Sequence, residues 1–154
     1  MTEKPEMLFD FYIRHVWHRV SRMYNQKASE IGITMSMGFI LMNVDKDGTP
    51  STRLGPRMGM EPTSLSRILK NMEAQGFIRR QEDENDKRKV WIFLTDSGVN
   101  HRRMVRDFLI TFNDKIFAKM PNSKVKVFME VMTKIDNTVE QELEEMNIQL
   151  EETK

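Results

Sequence analysis

The chain contains no cysteine, which excludes a disulfide framework, a thiolate zinc site and cysteine-based peroxide sensing. It also lacks any run approaching the ~18 uninterrupted apolar residues of a membrane-spanning helix. Its first residues, MTEKPEMLFDFY, do not place a basic region before an apolar stretch and a small-residue cleavage site, so a cytoplasmic location with no membrane partner is expected. There is no glycine-rich phosphate loop, no His-Glu-x-x-His helix and no Gly-x-Ser-x-Gly elbow. With no cysteine nucleophile either, the residues argue against an enzyme. Histidine is scarce, and the spacing of His15 and His18 suits a surface or core pair better than a metal site, so neither a metal nor another cofactor is expected. Internal repeats and low-complexity tracts are absent.

What remains is the composition of an ordinary folded chain, 39% hydrophobic and 31% charged over 154 residues, enough for one compact unit with a sizeable core. The net charge of +1 hides a strong segregation. Between Arg53 and Arg103 there are eleven cations against seven carboxylates, whereas from Asp136 onward seven carboxylates face Lys154 alone. The middle of the chain could face phosphate and the end could not.

Apolar spacing of three and four over Phe9, Ile13, Val16, Val20, Met23 and Tyr24 predicts a long first helix from Met7 to about Ile31 with one buried stripe, ended at Gly32. Thr34 or Ser36 can cap a second helix with the body Phe39 to Val44, and Asp47-Gly48 closes a tight turn. Thr49-Pro50-Ser51 reads as the start of a short helix over Thr52 to Met58. Pro56 within it predicts a short, bent or split element. Pro62 opens the next helix, which Gly76 stops. Phe77-Ile78 and Lys89 to Leu94 predict two strands around a charged turn from Gln81 to Arg88. Thr95 then caps a helix reaching about Lys119, Met120-Pro121 interrupts it, and a final helix caps near Asn122 or Ser123. That last helix carries Val125, Phe128, Met132, Ile135, Val139, Leu143, Met146 and Leu150 at docking-helix spacing.

In the helix after Pro62, Leu65, Ile68, Leu69 and Met72 form one stripe, leaving Thr63, Ser64, Ser66, Arg67 and Lys70 on the other faces. Three strings carry a family resemblance: Ile33-Thr34; Thr63-Ser64-Leu65-Ser66-Arg67-Ile68-Leu69 running on to Met72-Glu73-Ala74-Gln75-Gly76-Phe77-Ile78; and Asp86-Lys87-Arg88 followed after five residues by Leu94-Thr95. With the order of elements, these resemble the MarR family of bacterial winged helix-turn-helix regulators over nearly the whole chain. The resemblance implies a mainly α fold with a small β-hairpin wing. Residues 33–95 would form the DNA-binding lobe, and 1–32 with 96–154 a helical dimerisation region. Two features depart from the family pattern: Gly55-Pro56 in the first helix of the helix-turn-helix, and Glu61 at the cap of the recognition helix.

Such a protein would be a homodimer binding double-stranded DNA at an inverted repeat, as a repressor. Thr63, Ser64, Ser66 and Arg67 would reach base edges, and Lys70 a phosphate. Arg88 at the wing tip suits the minor groove, with Asp86 orienting it, while Arg79, Arg80 and Lys87 would add phosphate contacts. Family resemblance also implies release by a small anionic aromatic effector. His15, Trp17, His18, Phe39 and Met42 are its candidate lining here, because they combine aromatic surface, a flexible thioether and titratable donors. The acidic end and the carboxylates beside the wing leave one alternative, a winged-helix module that binds protein rather than DNA.

Overall fold

The computed structural model describes residues 8–152. It contains α1 (Phe9–Ser29), α2 (Met35–Asn43), β1 (Thr49–Pro50), α3 (Ser51–Met58), α4 (Pro62–Ala74), β2 (Ile78–Glu82), β3 (Val90–Leu94), α5 (Asp96–Phe117) and α6 (Asn122–Glu152). A first compact unit runs to Phe108 and a second begins at Leu109, so α5 contributes to both. Among the described residues, no helix is long and apolar enough to cross a membrane.

The core of the first unit lies within residues 33–92. Ile33, Met37, Ile40, Leu41 and Val44 come from α2 and its flanks, Leu54 from α3, and Leu65, Leu69 and Met72 from α4. Phe77, Ile78 and Ile92 close it from the sheet side. Burying a side chain of this size stabilises the fold by about 1.5–3 kcal/mol, so this cluster fixes how α4 is tilted. Thr34, rather than Ser36, caps α2: its hydroxyl accepts from the Met37 N–H at 3.2 Å. Gly59, directly after α3, and the helix stop read at Gly76 are both in left-handed conformation.

Two expectations are corrected. Thr49-Pro50 does lead into a helix, α3, with Pro50 at its N-cap, but it also forms a short strand, so the expected hairpin is a three-stranded antiparallel sheet in the order β1-β3-β2. Thr49 pairs with Ile92, and Pro50, which has no N–H to give, sits at the edge opposite Trp91. The first hairpin strand is Ile78–Glu82, not Phe77-Ile78. Register pairs from Ile78↔Leu94 to Glu82↔Val90 extend the ladder through Arg79, Arg80 and Gln81, which a charge-based turn assignment misses. Charge does not prevent pairing in a solvent-exposed ribbon, where only the backbone must be satisfied.

Pro56 does not split α3, which stays one eight-residue helix. The residue before a proline usually avoids helical backbone because its Cβ meets the proline ring. Here that residue is Gly55, and a Cβ on it would also lie 3.0 Å from the Met60 carbonyl. α5 is seated on the reader lobe by Thr95, whose hydroxyl donates to the Gly76 carbonyl at 2.5 Å and accepts from the Gly98 N–H at 3.1 Å. A Cβ on Gly98 would collide with the Phe77 carbonyl, so this close approach requires glycine.

The stripe expected to be buried along α1 is covered only in part. Val20, Met23 and Tyr24 are half-buried, but Phe9, Ile13 and Val16 are exposed, and no residue of α1 is fully buried. In the second unit, α6 takes its first turn from the Pro121 carbonyl, which accepts from Lys124 and Val125 N–H. Val125, Met132 and Ile135 are half-buried there, whereas Phe128, Val139, Leu143 and Met146 are exposed. Periodicity identifies the apolar face of each helix but not what covers it. The side chain of Leu150, the last position of that apolar series, lies outside the described residues.

Candidate nucleic-acid interface

α4 is held by its apolar face. Leu65 and Leu69 keep 5% and 4% of their surface exposed and Met72 none, so the helix cannot roll without opening the core. Thr63, Ser64, Ser66, Arg67 and Lys70 are all exposed. The helix starts with Pro62 at its first turn, and the Glu61 carbonyl accepts from Leu65 N–H at 3.0 Å. The Glu61 side chain makes no capping hydrogen bond. Among the described residues, Arg67 and Lys70 take part in no ion pair, so both are free to meet an external anion.

The wing turn is organised by a residue that charge reasoning counted only as a subtraction from the field. Asp83 Oδ1 accepts from the backbone N–H of Asn85 at 2.9 Å and of Asp86 at 3.1 Å, and Oδ2 accepts from Trp91 Nε1 at 2.9 Å. Backbone bonds from Asp83 N–H to the Lys89 carbonyl (2.9 Å) and from Lys89 N–H to the Asp86 carbonyl (2.8 Å) close the loop. The Trp91 indole, followed by the Asn85 and Asp86 backbone donors, holds the Asp83 carboxyl below its ordinary range. The sequence signal was present as an aspartate two and three residues ahead of turn donors, but nothing local points to Trp91 across the hairpin.

Beyond this knot, Asp86 Oδ1 accepts from both the backbone N–H (3.1 Å) and Nε (3.2 Å) of Arg88. The Arg88 side chain is 92% exposed, so its stem is oriented while its terminal nitrogens project outward. Lys87 is exposed beside it. Arg79 lies with its guanidinium 4.2 Å above the Phe93 ring and donates to Gln81 Oε1 at 3.0 Å.

Arg80 is placed differently. Its Nε donates to Glu73 Oε2 at 2.7 Å, a second guanidinium nitrogen approaches the same oxygen at 2.5 Å, and its backbone N–H reaches Glu73 Oε1 at 3.3 Å. This straps β2 to α4 and occupies the guanidinium fork. The Arg80 side chain is the main reason that the Glu73 carboxyl is held below its ordinary range. A second strap lies on the other side of the lobe. Arg57 of α3 donates to the Asn43 carbonyl (3.0 Å) and Asp45 Oδ2 (3.3 Å), and Asp45 also accepts from the Thr49 hydroxyl (3.1 Å). That hydroxyl bond, then Arg57, lowers the Asp45 carboxyl pKa.

Of the candidate effector residues, the structure joins Trp17 and Phe39, whose rings stack at 6.4 Å with an interplanar angle of 15°. Tyr24, not singled out from sequence, meets Phe39 edge-on at 6.4 Å and Phe108 at 6.0 Å. His15 is turned instead to Phe11, stacked at 6.0 Å. His18 is exposed and Met42 half-buried.

Residues 33–90 match the sequence profile described as MarR family, spanning α2 to the start of β3. The chain is 32% identical over 130 residues to the HTH-type transcriptional regulator TtmR of Methylorubrum extorquens, an alignment covering 70% of this chain and 67% of that one. In fold it is similar to S. aureus MepR in a DNA complex, at TM-score 0.80 and 19% identity over 86% of this chain and 98% of that one. It is also similar to CouR of Rhodococcus jostii bound to p-coumaroyl-CoA, at TM-score 0.76 and 18% identity over 87% and 95%.

Proposed function

The chain belongs to the MarR family of winged helix-turn-helix transcriptional regulators, and from that premise we propose that it acts as a homodimeric repressor reading an inverted repeat. The observation that carries the reading is the division of α4 into a buried apolar face and an exposed face of Thr63, Ser64, Ser66, Arg67 and Lys70. Short hydroxyls at the helix N-terminus reach base edges in the major groove, and Arg67 grips guanine bidentately, for about 1 to 3 kcal/mol of discrimination. Lys70 meets a phosphate. Arg88, steered by Asp86, enters the adjacent minor groove, with Lys87 and Arg79 on the flanking backbone. Arg80 is bound to Glu73, so its role is to fix the wing against α4.

One helix and one wing neutralise few phosphates, and a two-fold dimer doubles the footprint at half-sites about one turn of duplex apart. Exposed apolar side chains on α1 and α6, including Phe9, Val16, Phe128 and Leu143, supply the surface such a dimer needs. On this reading residues 1–32 and 96–154 supply the dimerisation region and residues 33–95 the reader lobe. A small aromatic anion binding beside the Trp17–Phe39 stack would release DNA if it favours a dimer whose recognition helices no longer match the half-site spacing. CouR bound to p-coumaroyl-CoA, a neighbour in fold that holds an aromatic acyl thioester, supports this reading.

Selection of bound fragments from random duplexes, using the purified full chain, tests the proposal directly. An enriched inverted repeat whose binding weakens steeply with salt is expected. No enrichment, or salt-independent association, would overturn it in favour of a protein-binding module.

A further inference from the structure

A cavity of about 560 Å³ opens between the turn that follows α2 and the first turns of α5, and it shares no lining residue with the aromatic stack or the DNA-facing set. Asp45, Lys46, Leu94, Val99, Arg102, Arg103 and Arg106 line it. Its size falls within the range of small-ligand sites, and an apolar floor with a few convergent polar groups is their common composition. Val99, Arg102, Arg103 and Arg106 recur at three- and four-residue spacing and so share one face of α5.

That face is costly for a helix by itself. Arg102 with Arg106, and Arg103 with Arg106, are like-charge neighbours at spacings that destabilise a helix by a few tenths of a kcal/mol each. Among the described residues, no ion pair offsets them. Arg102 is tied to the Val44 carbonyl at 2.8 Å, which holds the α2–β1 turn against α5. The one carboxylate in the lining, Asp45, is already engaged by Thr49 and Arg57. Asp107 lies four residues after Arg103 but forms no ion pair with it, and among the described residues Lys46, Arg103 and Arg106 have no ion-pair partner at all. Three cations without an ion-pair partner among the described residues therefore line one concavity together with the apolar side chains of Leu94 and Val99.

We propose that this cavity is a second ligand site, taking a compact organic dianion such as an aryl or alkyl phosphate. Its charge would lie among Lys46, Arg103 and Arg106, and its apolar part would rest on Leu94 and Val99. Occupancy reports to the reader helices through Asp45, which shares the turn with Lys46 and is bonded to Arg57 of α3. An anion beside Asp45 competes for the same positive field, loosening the strap that orients α3 under α4. Dianion binding stands independently of the function proposed above; only its effect on DNA rests on that reading.

Phenyl phosphate is the probe, titrated into the full-length protein by calorimetry at moderate salt, with benzoate as the monoanionic comparison. Saturable binding of phenyl phosphate is expected, at least tenfold weaker in Arg103→Gln/Arg106→Gln and unchanged in Arg14→Gln, which removes an exposed cation elsewhere. Should the double variant unfold, Lys46→Gln, which lies on a turn, carries the same expectation. Absence of saturable binding to the wild type overturns the site, as does equal binding by the variants. If the variants lose affinity for duplex DNA in the absence of any probe and the wild type binds no phenyl phosphate, the arginines are DNA phosphate contacts instead. If the probe binds but leaves DNA affinity unchanged, the site stands and the strap does not transmit it.

Discussion

Ile40, Leu41, Val44, Leu54, Met72 and Ile92 are sealed from solvent within residues 33–92, whereas Phe128, Leu143 and Met146 on α6 keep 54%, 55% and 55% of their surface exposed. Both regions show the same three-and-four apolar spacing in sequence. The reader lobe folds back on itself through short turns, so its apolar faces find one another within the chain. α6 is 31 residues long, and of its apolar series only Val125, Met132 and Ile135 are half-buried. The contrast separates two fates of an apolar stripe: one makes a self-sufficient platform for the recognition helix, the other leaves an exposed face, which the proposed homodimer would cover.

The strongest way to break this comparison is to charge the exposed apolar face of α6. Phe128→Asp with Leu143→Asp should raise the dimer dissociation constant at least a thousandfold, about 4 kcal/mol, read by sedimentation equilibrium. A dimer of unchanged affinity would mean that these faces are simply exposed. In the platform, Leu54→Ala removes a fully buried side chain from the centre of α3, and urea unfolding should show a loss of about 3 kcal/mol. An exposed counterpart, Val127→Ala on α6, should cost under about 0.5 kcal/mol in the same measurement.

A smaller effect distinguishes the two reading elements within the platform. Arg67→Ala should weaken binding to the selected repeat by about 1 to 3 kcal/mol per half-site and relax preference at one base pair. Arg88→Ala should lower affinity more evenly across sequences and reduce the salt slope by about 1. Fluorescence anisotropy over a salt series measures both. Identical behaviour of the two variants would show that α4 and the wing do not divide the work into base-edge reading in the major groove and a sequence-tolerant minor-groove contact.

Much of this architecture is legible in the chain before any coordinates. Helix ends at Gly59, Pro62 and Gly76, and the Thr95 cap, follow from local chemistry that has few alternatives. The exposed set on α4 follows once Leu65, Leu69 and Met72 are assigned to the core. What escapes are relations across space. β1 is two residues long, has no pattern of its own, and exists because Thr49 fits opposite Ile92. Arg80 reads as a phosphate ligand until Glu73 is found beside it, and Asp83 reads as an unhelpful charge until Trp91 arrives from eight residues away. Pro56 is tolerated because its predecessor lacks a Cβ, a pairwise effect that single-residue propensities do not carry.

The mildest perturbation, acid, sharpens the distinction between core and wing. Because the folded Asp83 carboxyl lies below its ordinary value, its contribution is complete above the unfolded pKa of about 3.9 and is lost as pH falls through the lower folded value. Asp45 and Glu73 are shifted in the same direction, so all three straps weaken together in acid, while the apolar core of residues 33–92 contains no titratable side chain. In a Trp17→Phe background, Trp91 emission should therefore change below about pH 4 before the helical circular dichroism signal falls. Asp83→Asn should abolish that early fluorescence transition while leaving the later loss of helix in place. If the asparagine variant keeps the same early transition, the wing is held by its backbone ladder alone, and the carboxylate knot has no part in keeping Arg88 at the tip.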